Sequence, residues 1–95
     1  NRANESAAFL TSQLNTWPRD ARLWRLASKA HTRLGQRLQS HRALAEAFAL
    51  SGNLTAAIEQ INLAIKAADG GFYELSAAEA RRREWQAIEK AQHKS

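Results

Sequence analysis

Cysteine, methionine and valine are missing from this 95-residue chain, and proline occurs once. Without cysteine there is no disulfide and no thiolate metal site, and redox compartment is left open. Without valine, and with few threonines, little in the chain favours a sheet. No apolar run approaches the length needed to span a bilayer. Neither an initiator methionine nor a signal peptide is present, and the chain opens on Asn1-Arg2-Ala3-Asn4. The expectation is a fragment excised from a longer protein. What remains is rich in Ala, Leu, Arg, Gln and Glu, all good helix formers. Hydrophobic residues make up 44% of the chain, but many are alanines, so a single domain over residues 1–95 must have a thin, closely packed core.

The spacing predicts five helices. The first runs from about Asn4 to Thr16, with Ala7 or Ala8, Leu10 and Leu14 on one side. Trp17-Pro18-Arg19-Asp20 breaks it, because Pro18 disfavours helical backbone at Trp17 and Asp20 suits the N-cap of the next helix. That helix runs to about Leu34 and ends at Gly35, a left-handed cap. The third spans about Arg37 to Leu50 and ends at Gly52. Asn53 caps the fourth, which runs to about Ala68. Asp69-Gly70-Gly71 reads as the loosest turn. The fifth runs from near Phe72 past Trp85 to about Ala91. Every connection is short, so neighbouring helices should be antiparallel.

Pro18, Gly35 and Gly52 punctuate the chain at intervals of 17 residues. Between Ser40 and Ala67 small residues (Ala45, Ala57, Ala64) alternate with large ones (Phe48, Ile61, Ile65). Close helix contacts are expected at Gly52, Ala57 and Ala64, with Phe48 and Ile61 buried beside them. This pattern resembles a tetratricopeptide repeat, a helix-turn-helix unit of 34 residues, twice the punctuation interval. The resemblance implies an all-α, right-handed α-solenoid of about five antiparallel helices, built from units that bury their apolar faces on neighbours. Two registers fit. Pairing helices three and four matches the repeat through Ala45, Phe48, Gly52, Ala57, Ile61 and Ala64. Pairing helices two and three places Trp24 at the large aromatic position of a repeat. The registers differ in which helices line the concave face.

A finer resemblance is carried by Pro18, Asp20, Leu23, Trp24, Leu26, Ala27, Leu34 and Gly35, then by His41, Ala43 to Leu50 and Gly52, and by Ala56 to Ile61, Ala64, Tyr73, Ala80 and Arg81. His41 to Glu46 is its most specific part. Together these residues resemble the C-terminal repeat domain of bacterial periplasmic zinc metalloproteases of the BepA type. The resemblance implies a non-catalytic, substrate- or partner-recruiting tail. Its partners would be outer-membrane protein substrates or the β-barrel assembly machinery, and its compartment the periplasm. Zinc would belong to a protease domain outside this chain, whose HExxH motif is missing here, so no catalytic or metal residue carries over.

Other chemistry is weakly marked. His31, His41 and His93 lack the i, i+4 partner of a helical zinc pair, and structural or surface roles fit them better. Asn53-Leu54-Thr55 and Asn4-Glu5-Ser6 match the glycosylation sequon, but Asn53 is needed as a helix cap. The net charge of +5 is uneven: residues 1–53 hold eight basic side chains against three acidic ones. Arg22, Arg25, Lys29 and Arg33 fall on one face of the second helix, opposite Leu23, Ala27, Ala30 and Leu34. This cationic stripe is either a solvated face or a binding patch for acidic peptide segments, which arginine grips bidentately. Arg81-Arg82-Arg83 is interleaved with Glu79, Glu84 and Glu89, so local ion pairs should absorb it. A pI near 10.5 brings nucleic acid into view, but the few aromatics sit at core-like spacing and no recognition motif accompanies the charge.

The expected function is therefore a non-enzymatic protein- or peptide-binding repeat module without a cofactor of its own. The alternative is a stand-alone adaptor, cytoplasmic in that case, that scaffolds a complex. A basic nucleic-acid-binding helical domain is a third reading, and self-association through exposed ends stays open.

Overall fold

The computed structural model describes residues 2–94, leaving Asn1 and Ser95 outside. Five helices follow one another: α1 (Arg2–Thr16), α2 (Ala21–Arg33), α3 (Arg37–Leu50), α4 (Leu54–Ala67) and α5 (Phe72–Lys94). No strand occurs among the described residues. The sequence expectation of an all-α chain holds, with α5 longer than anticipated at 23 residues. Each helix packs on the next in sequence, and α3 also touches α5. Cross-helix bonds run in reversed order. Arg25 reaches Ser51 while Ser28 reaches Ser40, and Thr55 reaches Glu89 while Arg82 reaches Asn62. The pairs α2–α3 and α4–α5 are thus antiparallel.

Local chemistry explains the helix ends. The Asp20 carboxylate accepts from the backbone N–H of Arg22 and Leu23, at 2.9 and 3.4 Å. Burial pushes this carboxyl up, but those two backbone donors and the Arg22 side chain outweigh it and hold the group below its ordinary range. Asn53 Oδ1 accepts from Ala56 N–H at 3.1 Å, so the sequon asparagine is occupied as a cap. Gly35 and Gly52 stand at φ +71° and +83°, conformations that side chains disfavour. They close α2 and α3 with backbone bonds from Gln36 to His31 and from Asn53 to Phe48, the geometry of a Schellman end. A Cβ on Gly52 would meet nothing within 4 Å. Gly52 is therefore required for its backbone angle, and the close helix contact expected there is not made.

The turn Asp69-Gly70-Gly71 is not loose. Gln36, at the N-cap of α3, supplies no side-chain capping bond. The Asp69 carboxylate takes its place from the α4–α5 turn, accepting from Arg37 N–H at 2.7 Å and Leu38 N–H at 2.8 Å. A Cβ on Gly70 would lie 2.9 Å from Leu38 Cδ1, so the turn sits against the start of α3. The Leu38 and Arg37 N–H groups hold the Asp69 carboxyl below its ordinary value of 3.8. A carboxyl with a lowered folded pKa stabilises the fold above its unfolded pKa, and that contribution is lost as pH falls through the folded value. Asp69→Ala should therefore melt below the parent protein at pH 7. The gap should close as pH drops below about 4 in melting curves recorded from pH 7 to pH 2. A gap that stays constant down to pH 2 would remove the tertiary cap from the account.

Two clusters form the core. Ala7, Leu10, Leu14, Ala27, Ala30 and Ala43 join α1, α2 and α3. Leu38, Ala45, Ala57, Ile61, Ala64, Ala78 and Trp85 join α3, α4 and α5. Ala57, Ala64 and Ile61 are fully buried as expected, whereas Phe48 is half-buried at the edge of the second cluster. Between α2 and α3 the hydroxyls of Ser28, Thr32 and Ser40 satisfy one another and the Ser28 carbonyl.

Candidate functional site

The cationic stripe of α2 is exposed along its length: Arg22, Arg25, Lys29 and Arg33 all face solvent. It is not uniform, however. Arg22 lies 3.6 Å from the Asp20 carboxylate, and Arg25 donates to Ser51 Oγ at 3.2 Å. These two arginines are engaged by the turns at either side of them. Lys29 and Arg33 instead border a groove between α1 and α2. Leu10 and Ala30 also line this groove, together with the exposed Phe9 and Leu26. The stripe expected from sequence thus splits into a tethered half and a half beside apolar surface.

A second concavity opens on the other side of α2, where α1, α2 and α3 meet. It is a cleft of about 330 Å³. Leu14, Trp24 and Ala27 supply its apolar wall, and Asn15, Gln39 and Arg42 its polar one. The Trp24 indole N–H donates to the Pro18 carbonyl at 2.8 Å, which fixes the loop at the cleft mouth. Among the described residues no acidic side chain lines the cleft, and Arg42 makes no ion pair. Two shielded atoms in this wall lack a hydrogen-bond partner: Gln39 Oε1 and Arg42 Nε. Sequence reasoning missed both residues. Their only signal was polar side chains at positions 39 and 42 on the helix face that turns towards α1.

Two of the three histidines are held structurally, and His93 is exposed on α5. His31 Nδ1 lies 2.7 Å from Gln36 Oε1, and His41 Nδ1 lies 2.8 Å from Gln60 Oε1. An amide oxygen accepts, so each ring carries its proton on Nδ1. His41, in the segment most specific to the family resemblance, thereby ties α3 to α4. Among the described residues no group of three or more histidine, cysteine or acidic side chains could hold a metal ion, and no helix is long and apolar enough to cross a membrane.

Arg81 departs from its expected role. It reaches across from α5 to Glu46 of α3, with Nε to Oε2 at 2.6 Å and Nη2 to Oε1 at 2.8 Å. Glu84 takes a further bond at 2.7 Å, and the guanidinium sits 4.8 Å above the Trp85 ring. The Glu46 bond, chief among these, holds the guanidinium above the usual arginine range. Local pairing with Glu84 is present, but the principal partner lies 35 residues away. Arg82 donates to Asn62 on α4. The three-arginine run is therefore mostly spent on holding α5 in place.

Comparison with protein-family models, with curated proteins and with solved structures finds no match for this chain.

Proposed function

We propose that the chain is a non-catalytic, peptide-binding helical repeat module whose binding side is the row formed by α1, α3 and α5. The observation that carries this reading is the contact of α3 with α5, with none between α2 and α4 among the described residues. In a stack of antiparallel hairpins, helices that touch across one neighbour lie on the inside of the curve. That favours α3 and α4 as one repeat unit, flanked by α2 and α5. At the corresponding step α1 and α3 make no backbone contact, and the cleft lined by Leu14, Trp24 and Arg42 fills the gap. A concave, largely apolar site with a few convergent polar groups is the usual form of a ligand site. On this reading the stripe of Arg22, Arg25, Lys29 and Arg33 belongs to the outer row and keeps the surface solvated.

The resemblance to BepA-type metalloproteases extends the proposal. The module would be the recruiting tail of a periplasmic zinc protease, engaging outer-membrane protein segments or the β-barrel assembly machinery, with zinc confined to the protease domain. A stand-alone adaptor uses the same binding side. A second reading places acidic peptide segments on the outer groove, favoured by Lys29 and Arg33 beside exposed Phe9 and Leu26. Nucleic acid finds less support, because Arg81 and Arg82 of α5 are engaged by Glu46, Glu84 and Asn62.

Charge reversal separates these readings. Arg25→Glu with Lys29→Glu should leave folding intact, since both sites are exposed. Peptide affinity at low salt, measured by titration calorimetry, should then match the parent protein's. Binding lost in the variant and falling steeply with salt would move the site to the stripe. Duplex or single-stranded nucleic acid bound with a steep salt slope would replace the peptide reading altogether.

A further inference from the structure

Phe72 and Tyr73, on the first turn of α5, are 86% and 81% exposed and belong to neither core cluster. Among the described residues no other large apolar side chain is as open. The preceding turn is held against α3 by the Asp69 cap and by Gly70 beside Leu38, so the two aromatics stand out from a fixed base. Glu74 follows them and forms no ion pair among the described residues. Exposed aromatic surface rimmed by charge marks a contact with another molecule.

The groove between α1 and α2 has the complementary chemistry. It holds about 180 Å³, with Phe9, Leu10, Leu26 and Ala30 as its apolar lining. Lys29 and Arg33 stand at its rim, again without an ion pair among the described residues. Charge divides the same way along the chain. Residues 1–42 carry eight basic and two acidic side chains, whereas residues 43–95 carry six basic and seven acidic ones. Position agrees as well. Ser6 from the early part of α1 and Arg33 from the end of α2 place the groove towards the edge that carries the α2–α3 turn. Asp69 ties the start of α3 to the α4–α5 turn on that same edge, and Phe72 follows directly. Within one chain the two surfaces do not meet: neither α1 nor α2 contacts the backbone of α5 among the described residues.

We propose that Phe72 and Tyr73 of one copy enter the α1–α2 groove of a second copy, with Glu74 beside Lys29 and Arg33. The partner is another molecule of this chain. The contact joins two different surfaces, so a bound pair still offers one free groove and one free aromatic pair. Association therefore continues unless copies close on each other. Two aromatic side chains and a charged rim make a small, transient interface, which forms at concentrations on the order of 0.1 mM. The α1–α2–α3 cleft takes no part, so this self-association is independent of the peptide-binding reading.

Sedimentation velocity of the 95-residue chain, from about 10 µM to about 1 mM at low salt, tests it. The average mass should rise with concentration, and rise less in about 0.5 M salt, where the ion pairs are screened. Phe72→Ser with Tyr73→Ser removes the aromatic pair, and Lys29→Glu with Arg33→Glu reverses the groove rim. Each variant should stay monomeric at the highest concentration. All four sites are exposed, so both variants should melt with the parent. The deciding sample is an equimolar mixture, because one variant keeps the groove and the other keeps the aromatic pair. That mixture should form a one-to-one dimer and nothing larger. A mixture that stays monomeric while the parent associates would overturn the pairing, as would self-association that survives in either variant. A parent chain that is monomeric throughout would overturn it and leave the groove to acidic peptide segments. An aromatic-pair variant that melts well below the parent would show those side chains to be structural and would overturn it too.

Discussion

Replacing Arg81 by alanine should destabilise the protein by about 3 kcal/mol, the lower end of the cost of leaving a buried ion-pair partner uncompensated. The Glu46 side chain is 8% exposed while that of Arg81 is 37% exposed, and water at the arginine end is why the lower end applies. Without Arg81 the Glu46 carboxylate loses both of its charge-assisted bonds and is left in a nearly closed site of α3. Trp85 loses the cation over its ring. For a domain of this size, a loss of that order lowers Tm by roughly 12 °C or more. The double variant Glu46→Leu with Arg81→Leu should recover much of the loss, because the desolvated charge disappears with its partner. Thermal unfolding of the three proteins measures both steps. An Arg81→Ala protein that melts with the parent would show that α5 is not held by this pair.

Ile61→Ala should cost about 4 kcal/mol, towards the upper part of the range for such truncations. The reason lies in what surrounds it. Ile61 is fully buried among Ala45, Ala57, Ala64 and Ala78, with Leu38 and Trp85 as the larger neighbours. Alanines have no rotamers with which to fill a void, so the site cannot collapse around the missing atoms. Among the described residues Leu38 and Ile61 are the largest that are fully buried, so the centre of the α3–α4–α5 contact depends on few groups. Chemical denaturation should show a lower midpoint with little change of slope. A midpoint shift worth less than about 1 kcal/mol would mean that the helices close over the gap.

Much of this architecture was legible in the sequence because its signals are local. Asp20, Gly35, Gly52 and Asn53 fixed helix ends through bonds spanning a few residues. The spacing of Ala57, Ile61 and Ala64 marked the buried face of α4. What the sequence hid was everything joined across the chain. Asp69 caps a helix 32 residues before it, and nothing in an Asp-Gly-Gly turn announces a tertiary role. Arg81 sits beside Glu79 and Glu84, so its local partners looked sufficient. They obscured the bidentate grip on Glu46. The stripe on α2 was read correctly as exposed, but its division between tethered Arg22 and Arg25 and groove-lining Lys29 and Arg33 depends on Ser51 and on α1. The cleft opens where α1 and α3 make no backbone contact among the described residues, a relation between helices that no periodicity within either one encodes.

The proposed inner-row site is tested most directly by mapping backbone amide and indole chemical shifts as a bound peptide, chosen from a random pool for affinity to the chain, is added to isotope-labelled protein. Binding between α1 and α3 should move the signals of Thr11, Asn15, Gln39, Arg42 and the Trp24 indole N–H, all within or beside the cleft. Arg22, Arg25, Lys29 and Arg33 should stay still. Shifts confined to those four residues and to Phe9 and Leu26, with the cleft signals unmoved, would contradict the inner row and place the ligand on the outer face of α2.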